Sequence, residues 1–300
     1  MRLATFASVF AAACAARAPA LLAQARLRLV LVDTAVLSAP RLDESSGIAP
    51  SRRPGVYWTH NDSGDGPFLY ATDSTGRDLG RIRVEGARNV DWEDLARAPC
   101  AAPPGTCLFV GDIGDNSARR RWIVVYVVPE PEPPSGPADT ERRVVAIDSI
   151  RLRYPDHPHD AEALAVTPEG RLLIITKDLS HPARLFSAPL AGHGRDPVVL
   201  EPVCTLAMGI NPLVGRLATG AALSPDGLWL VVRTYVSLHV FALDGCRPLL
   251  PERGIGLPVV ETQGEGVTFE APGRLVTSSE RGTVGHAVLV RYQLLGLPEP

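Results

Sequence analysis

Lysine is nearly absent from this chain of 300 residues: Lys177 stands alone against 29 arginines. The skew reads as genomic codon bias, not as a phosphate-binding device. Charge of one sign is also lacking. The net charge is −3, so a nucleic-acid partner has no electrostatic support. Aromatics make up only 6% of the residues. No apolar run after residue 26 is long enough to cross a bilayer. There is no G-x-S-x-G elbow, Walker loop, G-x-G-x-x-G after a strand, or H-E-x-x-H pair. The hydrolase, nucleotide-binding and zinc-protease classes that use them therefore lose their usual signatures. Amphipathic helical periodicity is missing too.

What is present is glycine and proline, 27 and 28 residues, with no Gly-X-Y period. That many breakers argue for short elements joined by turns. With 45% apolar and 21% charged residues the chain is not disordered, and it can bury a sizeable core. Its apolar runs are short and β-rich, as in Val56–Thr59, Cys107–Val110, Trp122–Val128, Leu172–Thr176, Leu228–Val232 and Ala287–Tyr292.

Residues 1–25 read as a signal peptide, leaving 26–300 as a single domain. Arg2 supplies the positive start, Leu3 to Ala16 the apolar stretch, and Ala23-Gln24-Ala25 a cleavage site. A secreted or periplasmic protein is expected; lipidation through Cys14 is the alternative, on a poor lipoprotein box. Four cysteines then remain. Cys100 and Cys107 flank a turn-rich hairpin loop, which pairs them and leaves Cys204 with Cys246. A C-x6-C metal site is the competing reading, and export favours disulfides.

Five segments align without gaps: Glu44-Ser-Ser-Gly-Ile-Ala, Asp91-Trp-Glu-Asp-Leu-Ala, Asp160-Ala-Glu-Ala-Leu-Ala, Leu217-Ala-Thr-Gly-Ala-Ala and Gln263-Gly-Glu-Gly-Val-Thr. Each precedes a turn and an apolar strand. Their shared column holds Ser46, Glu93, Glu162, Thr219 and Glu265, at intervals of 47, 69, 57 and 46 residues. A four-stranded propeller blade takes about 40–50 residues, and the two long intervals carry Pro-rich or Gly-rich inserts. The expected fold is an all-β, five-bladed β-propeller. The last repeat lacks an outer strand, which Leu27–Val36 would supply, closing the ring. Six blades is the alternative, if an insert hides a degenerate one.

In such a ring the column lies where each inner strand begins, so its side chains converge on the axis at the top face. Glu44, Asp91 and Asp160, two residues earlier, point the same way. Converging carboxylates repel unless protonated or neutralised. A bound cation is one remedy, and an all-oxygen donor set favours Ca²⁺ over Zn²⁺. The alternative is that these acids brace neighbouring blades. A second set of loops adds His60, Asp62, Asp112, Asp115, Lys177, Asp178, Arg233, Glu280 and Arg281 to that face. Cations around an acidic centre suit an anionic oxygen substrate, with His60 or Asp62 handling protons and Lys177 or Arg233 clamping. His157 and His159 flank Pro158 as transition-metal ligands or as an exposed rigid loop. Arg119-Arg120-Arg121 reads as a solvated loop.

The motifs Glu44-Ser-Ser-Gly-Ile-Ala, His60-Asn-Asp-Ser-Gly-Asp, Asp91-Trp-Glu-Asp, Gly111-Asp-Ile-Gly-Asp-Asn and His159-Asp-Ala-Glu-Ala-Leu resemble those of a family of secreted bacterial β-propellers. More loosely, the blade starts resemble SdiA-regulated-type propellers, esterase-like phytase domains and five-bladed calcium-dependent nucleotidases. That last resemblance implies Ca²⁺ held by Ser46, Glu93, Glu162, Thr219 and Glu265. Two functions from different classes fit. One is an exported Ca²⁺-binding propeller that takes a small ligand, glycan or protein on its top face. The other is a Ca²⁺-dependent hydrolase of a phosphate ester, nucleotide or lactone. A monomer is expected.

Overall fold

The computed structural model of the protein describes residues 27–136, 142–192, 194, 196–209, 215–250, 254–283 and 285–298. The signal peptide and Cys14 lie outside the described residues. Among these residues the chain forms five sheets, antiparallel apart from one edge strand in each of two, and no α-helix. Each sheet is a blade. The inner strands are Ser45–Pro50, Trp92–Pro99, Ala161–Val166, Ala218–Leu223 and Gly264–Ala271, for blades 1 to 5 in order. Blade 5 takes its outermost strand, Arg28–Val36, from the N-terminal end, paired antiparallel with Val288–Leu295. The six-blade alternative falls away.

The two long inserts have another use. After the third strand of blade 2, Ile123–Pro129, the chain returns to blade 1. There Arg142–Val145 lies parallel on the outer strand Asp78–Glu85. Val198–Val199, from the blade 3 insert, lies parallel on Asp148–Arg153 of blade 2 in the same way. Each insert is a strap that covers the outer edge of the preceding blade.

Five apolar clusters hold the ring, one between each pair of neighbouring blades. Trp58, Trp92 and Leu108 sit between blades 1 and 2, and Phe109, Leu164 and Phe186 between blades 2 and 3. Leu185, Leu230 and Phe241 follow, then Trp229, Phe269 and Tyr292. Ile48, Tyr57 and Val276 close the circle. Near the axis the residues are small because five strands converge there. A Cβ on Gly47 would lie 2.5 Å from the Leu95 nitrogen, and one on Gly220 2.5 Å from the Glu265 carbonyl oxygen. Gly266 meets Ser46 in the same way, at 2.7 Å, so the last blade seats against the first. At the bottom of the axis is a cavity of about 450 Å³, lined by Pro50, Leu95, Val166, Leu223 and Ala271 among others.

Two disulfides join Cys100 to Cys107 and Cys204 to Cys246. No helix of the described residues is long and apolar enough to cross a membrane.

Candidate functional site

All five inner strands break register with their second strands at the shared column. The pairing shifts between Ser45 and Ile48, Trp92 and Asp94, Ala161 and Ala163, Ala218 and Gly220, and Gly264 and Val267. Each shift gives the inner strand one extra residue, a β-bulge, which bends the strand and re-aims the side chain. The column residues Ser46, Glu93, Glu162, Thr219 and Glu265 all fall in these bulges, and all are buried.

The two hydroxyls and the three carboxylates then part ways. Ser46 Oγ donates to the Glu93 carbonyl at 2.6 Å, and Thr219 Oγ1 to the Gly264 carbonyl at 2.9 Å. Each hydroxyl therefore ties its blade to the next. The carboxylates form an acidic mouth. Glu93 lies among Glu162, Asp62, Asp91 and Asp160. Burial and these neighbours push its pKa well above the usual carboxylate range. Asp91 is pushed up to about 6 by burial and by Asp62 and Asp160.

Lys177 stands in this mouth, and its charge acts on Asp62 and Asp160 as well as on Glu162. Its Nζ donates to Glu162 Oε1 at 2.5 Å and to Tyr235 Oη at 2.9 Å. Burial opposes its charge, yet Glu162 and Glu265 override that and hold the ammonium well above the ordinary lysine range. Burial still leaves Glu162 at about 7 despite the ion pair. Glu265 is raised well above the usual carboxylate range, by burial and then by Glu162, and its Oε2 is buried without a partner among the described residues. Asp62, Asp91 and Glu93 bring one oxygen each to within 4.8 Å of one another. Gly114 shapes that pocket. A Cβ there would lie 2.1 Å from Glu93 Oε1 and 2.6 Å from Asp91 Oδ2, so only glycine leaves room for both carboxylates. Three clustered oxygens with raised pKa values fit a hard cation of the Ca²⁺ type.

The remaining expected residues are spread between rim and wall. Glu44 is exposed at the rim, and Glu280 is buried. Glu280 Oε1 accepts from Gln263 at 2.8 Å, and burial with Glu44 and Asp62 pushes its pKa to about 7. Arg281 pairs with Asp43 at 2.6 Å, half in solvent. Asp160 Oδ1 accepts the Asp115 N–H at 2.7 Å. Asp115 Oδ2 in turn accepts the Arg120 N–H, and Asp112 pairs with Arg120 at 2.7 Å. Asp112 and Asp115 are thus in the wall, and Arg120 is not the solvated residue expected. Asp178 Oδ1 accepts the Ser180 and His181 N–H groups and acts as a turn former.

Two expectations are corrected. His60 is fully buried, with Nδ1 3.0 Å from the Asn61 carbonyl and its ring edge-on to Trp92. Burial pulls its pKa down to about 4, which keeps it a neutral packing residue. Arg233 is also fully buried. It donates to the Gly266 and Ser278 carbonyls at 2.8 and 2.9 Å and to Glu261 at 2.7 Å, joining blades 4 and 5. Both lie near the ends of second strands buried on both faces, Val56–Asn61 and Trp229–Thr234. Such strands lack the alternation that tells wall from mouth.

Asp94 was not singled out from the sequence. It follows the column, where the other blades carry Gly47, Ala163, Gly220 and Gly266, and a charged residue among small ones was the available signal. Its carboxylate is fully buried on the axis. Oδ1 accepts the Leu95 N–H at 2.8 Å, and Oδ2 accepts those of Leu164 at 2.8 Å and Ala221 at 3.1 Å. One side chain therefore fastens blades 2, 3 and 4 from inside the channel. Tyr235 and Glu261 are the other residues missed.

No protein-family model matches the chain, and no curated protein matches it. Solved structures do. The PQQ-bound form of an aldose sugar dehydrogenase from Streptomyces coelicolor has a TM-score of 0.52 at 14% identity, covering 90% of this chain and 99% of that one. Regucalcin, a calcium-binding protein from Agrobacterium tumefaciens, gives 0.48 at 13% identity, covering 90% and 97%. A gluconolactonase from Xanthomonas campestris gives 0.45 at 15%, covering 88% and 97%. At these identities the likeness is one of fold, and the first of the three carries it.

Proposed function

We propose that the top face is a hard-cation centre of the Ca²⁺ type that holds a small oxygen-rich ligand. The carrying observation is the cluster of Asp62, Asp91 and Glu93, three carboxylates with donor oxygens within 4.8 Å of one another. Taken alone these charges repel; a divalent cation converts the repulsion into binding. The proposed ligand set thus moves from the five-residue column to one column member, Glu93, with Asp62 and Asp91. Lys177 takes the neutralising part at Glu162 and Glu265, and Ser46 and Thr219 brace the blades. When bound, the cation supplies an electrophilic point for a ligand carbonyl, hydroxyl or phosphoryl oxygen. Two disulfides support an exported chain.

A second reading, hydrolysis of a phosphate ester, nucleotide or lactone, is favoured by one further observation. The Lys177 ammonium and Tyr235 hydroxyl are 2.9 Å apart in the same mouth. Such a donor pair suits negative charge developing on a substrate oxygen.

Chelated protein titrated with Ca²⁺ in a calorimeter tests the first reading. Heat at about one ion per chain and a raised Tm are expected; neither heat nor a Tm change refutes it. Turnover of a phosphoester, nucleotide and lactone panel, lost on chelation and in Lys177→Met, would establish the second. Tight ligand binding without turnover would leave the first standing alone.

A further inference from the structure

The link from the outer strand of blade 2, Asp148–Arg153, to the inner strand of blade 3 reads Tyr154-Pro-Asp-His-Pro-His-Asp160. Asp156, His157 and His159 within it take no part in the mouth cluster. Each nonetheless offers one donor atom, and the three atoms lie within 4.8 Å of one another.

Their surroundings hold them in place. The His159 ring is edge-on to Tyr154 at 4.8 Å and rests on Phe186 at 5.7 Å. Its Nε2 is 3.0 Å from Asp156 Oδ1. The His157 ring lies 4.3 Å from that of His159. His157 Nδ1 faces the Pro158 carbonyl at 3.0 Å, a contact that places the ring proton on Nδ1 and leaves the Nε2 lone pair free. Arg184 Nη1 donates to Asp156 Oδ2 at 2.6 Å, so the other carboxylate oxygen is the one turned to the histidines. The same guanidinium lies over Phe186 at 4.5 Å and 3.3 Å from His159 Nε2. Backbone carbonyls behind a histidine and cations behind a carboxylate are the outer contacts that orient metal ligands.

We propose that Asp156, His157 and His159 form a second metal site, for a d-block divalent cation of the Zn²⁺ class. Two imidazoles and one carboxylate suit such an ion, where the all-oxygen mouth does not. Binding there staples the link that delivers Asp160, whose Oδ1 receives the Asp115 N–H. The site is independent of the cation proposed for the mouth.

The test uses the full chain, stripped with chelator, returned to excess Ca²⁺ and titrated with Zn²⁺ in a calorimeter. Co²⁺ replaces Zn²⁺ for visible absorption. One Zn²⁺ per chain and Co²⁺ d–d bands are expected. His157→Ala, at an exposed position that leaves the packing intact, weakens Zn²⁺ binding at least about tenfold, as does His159→Ala. Glu93→Gln and His181→Ala, the latter an exposed histidine outside the three-residue cluster, leave it unchanged. No heat with Zn²⁺ overturns the proposal. So does an affinity that is unaltered in His157→Ala, or one lost only in Glu93→Gln.

Discussion

Glu93 and Asp94 are neighbours in sequence, both buried near the axis, and they solve the problem of a buried carboxylate in opposite ways. Asp94 is surrounded by backbone donors: three N–H groups from three blades meet its two oxygens. Glu93, one residue nearer the mouth, is surrounded by acids. Fixed dipoles hold the lower carboxyl in place, although burial outweighs them and raises its pKa to about 8. The upper group of charges is satisfied in part by Lys177 and otherwise waits for a cation. The lower level is therefore built for rigidity and the upper level for exchange.

Removing the lower carboxylate should have the largest effect. Asp94→Ala leaves the Leu164 and Ala221 N–H groups buried without acceptors, at a cost of about 3–5 kcal/mol in denaturant unfolding. Asp94→Asn keeps one acceptor oxygen and should lose less. If Asp94→Ala unfolds at the wild-type denaturant concentration, the axial clasp has no energetic role. Lys177→Met comes next. It strips Glu162 and Glu265 of their counter-charge and should cost about 2–4 kcal/mol at neutral pH. Much of the loss should return at pH 5, where those acids take up protons. A loss that is the same at both pH values would argue against the charge explanation.

The pH profile tests the upper level further. Burial and repulsion raise Asp91 to about 6, and Glu162 and Glu280 to about 7, from ordinary values of 3.8 and 4.5. The folded state then holds protons that the unfolded state has released. The stability they contribute is present at low pH and lost as pH rises from 3.8 through about 7. In chelator, Tm should fall over that window; with Ca²⁺ the fall should flatten, because the ion favours the ionised mouth. A flat profile in chelator would remove the repulsion from the account. The smallest effect expected on folding is that of Glu93→Gln. It should weaken Ca²⁺ at least about tenfold while leaving the chelated protein no less stable, measured by calorimetry and melting.

Blade number, ring closure and the column were readable because they repeat. Five aligned segments and one missing outer strand carry that information without reference to any contact. The straps were not readable as straps: the length of an insert does not say which neighbour it returns to. The site was half readable. Carboxylates at inner-strand starts were placed together on the axis, but the bulges that aim them leave no mark in spacing. His60 and Arg233 were assigned to the mouth because they stand near strand ends beside polar loops. Packing on both faces turns them into the wall instead. Lys177 was visible as the only lysine, and its bond to Glu162 shows why a single ammonium matters in a chain otherwise served by arginine.

The straps change how the ring can come into being. Blade 1 receives its outermost strand only after three strands of blade 2 exist, blade 2 receives one from within blade 3, and blade 5 waits for a strand made at the start. None of these three sheets is built from consecutive strands alone. Assembly is therefore interleaved around the circle, and a cut at any blade boundary parts blade 5 from its outermost strand.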